Sequence, residues 1–181
     1  MPNSSVPKRS QPPVQRSSQV PSLPPPQGFE YQAFGFLTGT LTTAEEPYSL
    51  LVNDQPLTIS GCNDRLHRWL SAQELPLTGY FGLYPKSTRS GTTFWMRSFE
   101  TTIAASDVGV FQIDGQLVAT KGSTQLIRIH RNQTNSTEKP FLIKVSGFLP
   151  EPKPGQFWQL ECLWEEGKFS LLDGYRYRSR G

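Results

Sequence analysis

Three cations fall on two short alternating runs. The stretches "TQLIRIHR" (124–131) and "FLIKVSGF" (141–148) alternate apolar and polar residues, as half-buried strands do. With Ile127 and Ile129 pointing inward beside Phe141, Ile143 and Val145, the side chains of Arg128, His130 and Lys144 point outward together. Such a stripe follows a phosphate backbone, although cations on a strand face also serve solubility alone. A second group brings aromatic faces to cations: Tyr80, Tyr84 and Trp95, with Lys86, Arg89 and Arg97 nearby. Aromatic rings of this kind stack on unpaired bases. The final "GYRYRSRG" alternates Tyr with Arg, so Arg176 and Arg178 suit a nucleic acid strand or, equally, an edge strand guarded by charge.

Catalytic patterns are absent from the sequence. His67 and His130 are the two histidines, and neither stands in a metal-ligand spacing. Cys62 precedes a helical segment, where a thiol pKa can fall, but a small core residue is the simpler reading. Glu45-Glu46 and Glu165-Glu166 lie in turns as solvated charge, and there is no phosphate loop or nucleophile elbow. The expectation is a protein that is not an enzyme and takes no cofactor and no metal.

Charge is unevenly shared. Residues 1–29 carry three basic and no acidic residues, the last seven carry three more, and the stretch 30–174 holds twelve basic against fifteen acidic. The basic character therefore lives in the tails, which argues against a body that is electropositive all over. Two cysteines are too few for a disulfide scaffold. Neither an apolar run of membrane length nor an apolar leader appears, so a cytoplasmic location and no membrane contact are expected. Asn132 and Asn135 match the glycosylation pattern and are read as loop residues.

The elements that must position these residues are mostly strands. Residues 1–28 hold eight of the sixteen prolines and almost no large apolar side chains, a disordered arm by composition. Pro21 and Pro24 within it have the PxxP spacing that aromatic grooves read. Strands are predicted at 31–42, 48–53, 56–60, 79–84, 93–100, 108–120, 124–131, 141–149, 156–164 and 168–174. One helix is predicted at 63–75, capped by Asn63 or Asp64, with Leu66, Trp69 and Leu70 on one face. Trp158, Leu160, Cys162 and Trp164 form a core stripe, which leaves Phe157 and Leu163 on a face covered by the first unit or by a partner.

About five strands per unit, a glycine inside each long first strand (Gly39, Gly115) and one helix after three strands resemble the OB-fold, a five-stranded Greek-key barrel. The resemblance implies an all-β body of one or two small OB-like barrels, units 29–105 and 106–181, behind the arm. A single larger barrel or an SH3-like pair stays open. "YPKSTRSGTTFW" (84–95) and "EPKPGQFW" (151–158) share Pro-Lys, a turn and Phe-Trp, which suggests a tandem repeat with the helix inserted in its first copy. Read this way, the chain binds single-stranded DNA or RNA through Arg128, His130, Lys144, Tyr80, Tyr84, Lys86, Trp95, Arg97, Arg176 and Arg178. The alternative is a protein-assembly module using Pro21, Pro24, Phe157 and Leu163; oligomeric state is open.

Overall fold

The computed structural model describes residues 21–132 and 139–178. The expected disorder of residues 1–20, and Asn135, lie outside them. Among the described residues there are ten strands and one α-helix. In chain order they are β1 (Gln32–Thr43), β2 (Ser49–Val52), β3 (Gln55–Cys62), α1 (Asp64–Leu70), β4 (Leu77–Thr88) and β5 (Gly91–Glu100), followed by β6 (Val110–Lys121), β7 (Thr124–Ile129), β8 (Phe141–Ser146), β9 (Phe157–Glu165) and β10 (Lys168–Arg176).

Strand pairing closes two rings. The first runs β1-β2-β3-β5-β4 and returns to β1; the second runs β6-β7-β8-β10-β9 and returns to β6. In both, the third and fifth strands pair in parallel and every other neighbour is antiparallel. This ring order, with α1 between the third and fourth strands of the first ring, is that of an OB-like barrel. A ladder from Gln32–Gly35 of β1 to Phe111–Asp114 of β6 joins the two rings.

Local chemistry accounts for the turns. Asn53-Asp54 and Glu166-Gly167 each place both central residues at positive φ, as a two-residue hairpin turn of right-handed twist requires. The glycines inside the first strands do the bending. β1 pairs with β4 over 35–41 and passes to β2 at Thr40; β6 pairs with β9 over 110–116 and passes to β7 at Gln116. Gly39 and Gly115 sit one residue before each hand-over. A Cβ there would lie 2.6 Å from the carbonyl oxygen of Leu51 or of Arg128, so nothing larger fits.

Each ring is filled by its alternating inward residues. Leu41, Leu50, Phe81, Leu83 and Met96 fill the first, and Leu117, Ile127, Ile143, Val145, Trp158 and Leu160 the second, all buried. Phe94 reaches from β5 into the second ring, against Phe111, Trp164 and Phe169 at centroid distances of 6.1, 4.9 and 6.5 Å. Helix α1 starts as expected: the Asn63 side chain accepts the Leu66 N–H at 2.9 Å. It stops at Leu70 rather than 75: the Ser71 hydroxyl donates back to the His67 carbonyl at 2.9 Å, and the N–H groups of Ala72 and Gln73 bond three residues back, to Trp69 and Leu70, instead of four. Leu66 and Leu70 are buried, while Trp69 is exposed and stacks on Phe99 at 5.2 Å.

His67 is half-buried. Its Nδ1 lies 2.6 Å from the Tyr48 hydroxyl, which also accepts the Cys62 thiol at 3.2 Å, tying α1 to the first ring. Burial pushes the Cys62 thiol up, the reverse of an activated cysteine, and Cys162 is pushed up to about 12. Both remain thiols.

The repeated Pro-Lys-turn-Phe-Trp motif does not mark equivalent positions. Its first copy spans the β4–β5 hairpin and puts Phe94-Trp95 on a fifth strand; the second leads into β9 and puts Phe157-Trp158 on a fourth. The equivalence of the rings lies instead in their pairing and in Gly39 and Gly115. The arm differs from expectation as well. Residues 21–28 lie along the second ring: Gln116 Nε2 donates to the Pro21 carbonyl at 3.3 Å, and the Tyr177 hydroxyl donates to that of Gln27 at 2.9 Å. Leu23 also reaches Gly155. Gln116 and Tyr177 thus hold carbonyls near the two ends of this segment, which composition alone did not reveal.

Candidate nucleic-acid interface

Between the two rings opens a cleft of about 840 Å³. The first ring contributes Phe34, Tyr84, Lys86 and Trp95 to it, and the second contributes His130, Arg131, Lys139 and Phe141. Tyr31 and Asn132 lie where the two meet. The Asn132 side chain pairs with Tyr31 as a strand neighbour would, accepting its N–H at 2.8 Å and donating to its carbonyl at 2.9 Å. That clip fixes the start of β1 against the end of β7, and so fixes the cleft's geometry.

The aromatic wall follows from strand register. Phe36 faces Gly82 and Tyr84 faces Trp95 directly across their ladders, so Phe34, Tyr84 and Trp95 form a row over β1, β4 and β5. Phe34 and Tyr84 have centroids 5.2 Å apart. Gly82 leaves room for Phe34 and Phe36, and Gly61 of β3 leaves room for Trp95, whose ring would stand 2.7 Å from an added Cβ. Tyr84 and Trp95 stay 40% and 41% exposed, two adjacent rings open to the cleft.

Of the residues singled out in the sequence, the structure brings Tyr84, Lys86, Trp95 and His130 into this cleft. Ile127, Ile129, Ile143 and Val145 do point inward, and Phe141, half-buried, packs against the core while also lining the cleft. Arg128 is half-buried, donating to Gln116 Oε1 at 3.2 Å, and Lys144 is exposed on β8. Tyr80 lies at the far end of β4, opposite Glu100. Arg97 falls where the β4–β5 register slips, away from the cleft walls. Arg176 and Arg178 are exposed where β10 pairs with β9 alone, while Tyr177 between them packs on Phe29 at 5.2 Å.

The partner-binding candidates stand differently. Phe157 is buried against Phe29 and Tyr31 of this same chain, at 5.1 and 6.2 Å, so its covered face is internal. Leu163 is half-buried opposite Val110. Pro21 and Pro24 are exposed on the docked segment.

His130 cannot be counted with the cations at neutral pH. Its Nε2 lies 2.9 Å from the Ser22 hydroxyl of the arm, and its ring is tilted on Tyr31 at 5.0 Å. Burial first, and then the Arg128 charge, lower its pKa from 6.5. A lowered folded pKa means the unfolded chain takes up the proton first as pH falls. Stability from the neutral imidazole is therefore complete above about 6.5 and drains as pH drops toward the folded midpoint. An NMR titration of the His130 ring should show a midpoint below 6.5, and His130→Gln should flatten stability over that span; a midpoint at or above 6.5 would refute the buried assignment.

Sequence reasoning missed Tyr31, Phe34, Asn132, Arg131, Lys139 and Phe141. Alternation in "YQAFGF" already put Phe34 opposite Ala33 and Gly35, but only pairing with β4 sets it beside Tyr84.

Comparison with known proteins bears on the second ring. Residues 113–176 match the model of a cyanobacterial OB-fold-like RNA-binding domain, C-terminal. No curated protein matches the chain significantly. The matched stretch runs from within β6 to the last residue of β10, and so carries all five strands of the second ring. The OB-like barrel expected from the sequence is thus found both in the pairing of the strands and in this match. The first ring and the aromatic row lie outside the matched residues. Among the described residues, no helix is long and apolar enough to cross a membrane.

Proposed function

We propose that the chain is a non-enzymatic RNA-binding protein that holds single-stranded RNA on its second barrel. The observation that carries this reading is the match of residues 113–176 to an OB-fold-like RNA-binding domain, together with the cations on the same barrel. Arg128 and Lys144 lie on the outer faces of neighbouring strands, with Leu126 opposite Lys144 and Arg128 opposite Leu142 in the β7–β8 ladder. Arg131 and Lys139 stand at the two ends of the connection between those strands and line the cleft. Positive groups spaced along two strands neutralise successive phosphates, while sequence is left largely unread.

Counterion release gives the test. Binding of single-stranded RNA by the intact chain should weaken as salt rises, with log affinity falling by roughly 0.7 per log salt for each phosphate contacted. The pair Arg128→Ala and Lys144→Ala should lose about two contacts, lowering the slope by roughly 1.4 and the affinity nearly equally across sequences. Lys144→Ala alone, exposed and safe for folding, should remove half of that. Parental affinity and slope in the double variant would exclude this face. Parallel titration with single-stranded DNA decides whether the 2′-hydroxyl is read.

A protein-assembly role is the second reading. Phe148 is 80% exposed and Leu172 51% exposed, two large apolar side chains left open on the second barrel. Failure of RNA binding, combined with concentration-dependent association lost in Phe148→Ser, would favour it.

A further inference from the structure

We infer that the first barrel carries a stacking platform for the unpaired bases of RNA, formed by Tyr84 and Trp95 on the wall of the cleft opposite the matched domain. The inference rests on the RNA reading for the identity of its ligand, but the site is separate: it lies on β4 and β5, outside residues 113–176.

Geometry carries it. Phe34, Tyr84 and Trp95 occupy one row across three adjacent strands, and neighbouring strands lie about 4.8 Å apart. Phe34 is half-buried and packs against Tyr84 at 5.2 Å, so the middle ring of the row is held from one side. Trp95 settles into the space left by Gly61 and still keeps 41% of its surface open. Rings placed this way lose little further freedom when a base lies on them, and every base offers a face.

Charge selects the ligand. Lys86, exposed and two residues beyond Tyr84 on β4, lines the cleft from the first barrel; Lys139, also exposed, lines it from the second. Ammonium groups on both walls of an aromatic cleft suit a chain that carries a phosphate beside each base. They do not suit an uncharged peptide. A duplex is disfavoured, because its bases are already stacked on one another and withhold their faces. The RNA strand thus has a path from the cations of β7 and β8 into the cleft, with both barrels holding one ligand.

The test uses the intact chain and its Trp95→Ala, Trp95→Phe and Tyr84→Ala variants. The probe is a fluorescent adenosine oligomer of about 12 nucleotides, within the ~4–16 that a single barrel covers. A matched oligomer has abasic sites at its centre, and a third is annealed to its complement. Trp95→Ala should weaken binding of the plain oligomer by about tenfold with the salt slope unchanged, Tyr84→Ala should act in the same direction, and Trp95→Phe should recover most of the loss. On the abasic oligomer, parent and Trp95→Ala should bind alike. Equal affinity of Trp95→Ala and parent for the plain oligomer overturns the platform, as does an equal loss on the abasic one or equal binding of the duplex. Competition by a peptide of residues 1–20, with no response to base removal, assigns the wall to a proline-rich strand and also overturns it. If Arg128→Ala with Lys144→Ala weakens binding while Trp95→Ala does not, the platform alone fails. An intact chain that binds no oligomer overturns both readings.

Discussion

Replacing Gly115 with valine is expected to cost about 3–5 kcal/mol, a large part of the ~5–15 kcal/mol that holds a typical domain together. Gly115 is where β6 leaves β9 and takes up β7. A Cβ at this position meets Ile127 Cγ2 at 2.5 Å, the Arg128 carbonyl oxygen at 2.6 Å and Ile129 Cδ1 at 2.7 Å. Side chains can turn aside, but the carbonyl belongs to the neighbouring strand and moves only if the ladder moves. Valine must therefore break the β6–β7 pairing or open the ring. Gly174→Ala serves as the comparison, since its added Cβ meets only the flexible ends of Leu149 and Leu160 near 3 Å; its cost should stay near 1 kcal/mol. Urea unfolding of both variants measures the difference. A Gly115→Val midpoint close to that of Gly174→Ala would remove the steric account of the bend. The same comparison bears on RNA binding, because Arg128 lies on the strand that valine would displace.

Phe94→Ala should be nearly as damaging, for a different reason. The side chain belongs to β5 of the first ring, yet its ring neighbours are Phe111, Trp164 and Phe169 of the second, and none of its surface is exposed. Truncation leaves a cavity at the seam, for which phenylalanine-to-alanine changes cost about 3–5 kcal/mol. For a chain of this size that corresponds to a Tm lower by roughly 6–20 °C. Trp164 packs perpendicular to Phe94 at 4.9 Å, so near-ultraviolet circular dichroism should report the loss directly. Because the seam couples the rings, the parent should melt in one transition and the variant should begin to separate into two. A variant with parental Tm, or a parent that already melts in two steps, would show that the rings stand independently. Separate rings would also loosen the cleft, whose walls come one from each.

The two variants mark different limits of what a sequence reveals. Gly115 and its counterpart Gly39 could be read in advance, because a glycine inside a long apolar alternation has few uses other than a bend. Phe94 could not. Alternation sets Phe94 and Trp95 on opposite sides of β5, but does not tell that the Phe94 side points into another barrel. The Phe157 face shows the same gap: a large apolar residue opposite the core stripe had to be covered, and only the fold names Phe29 and Tyr31 as its cover.

Short-range physics determined much on its own. Ten alternating runs became ten strands, the turns at Asn53-Asp54 and Glu166-Gly167 fell where left-handed backbone is tolerated, and Asn63 capped the helix. These features depend on residues within a few positions of one another, so the sequence displays them directly. The cleft was decided by tertiary structure. Tyr84 and Trp95 meet through the β4–β5 register, Phe34 joins them through β1, and Asn132 closes on Tyr31 across 101 positions. His130 has its pKa lowered by burial and by Arg128, and its ring meets Ser22 from 108 positions away. Contacts at such separation leave no local trace in composition or periodicity, because what creates them is the closing of the rings and the docking of one against the other.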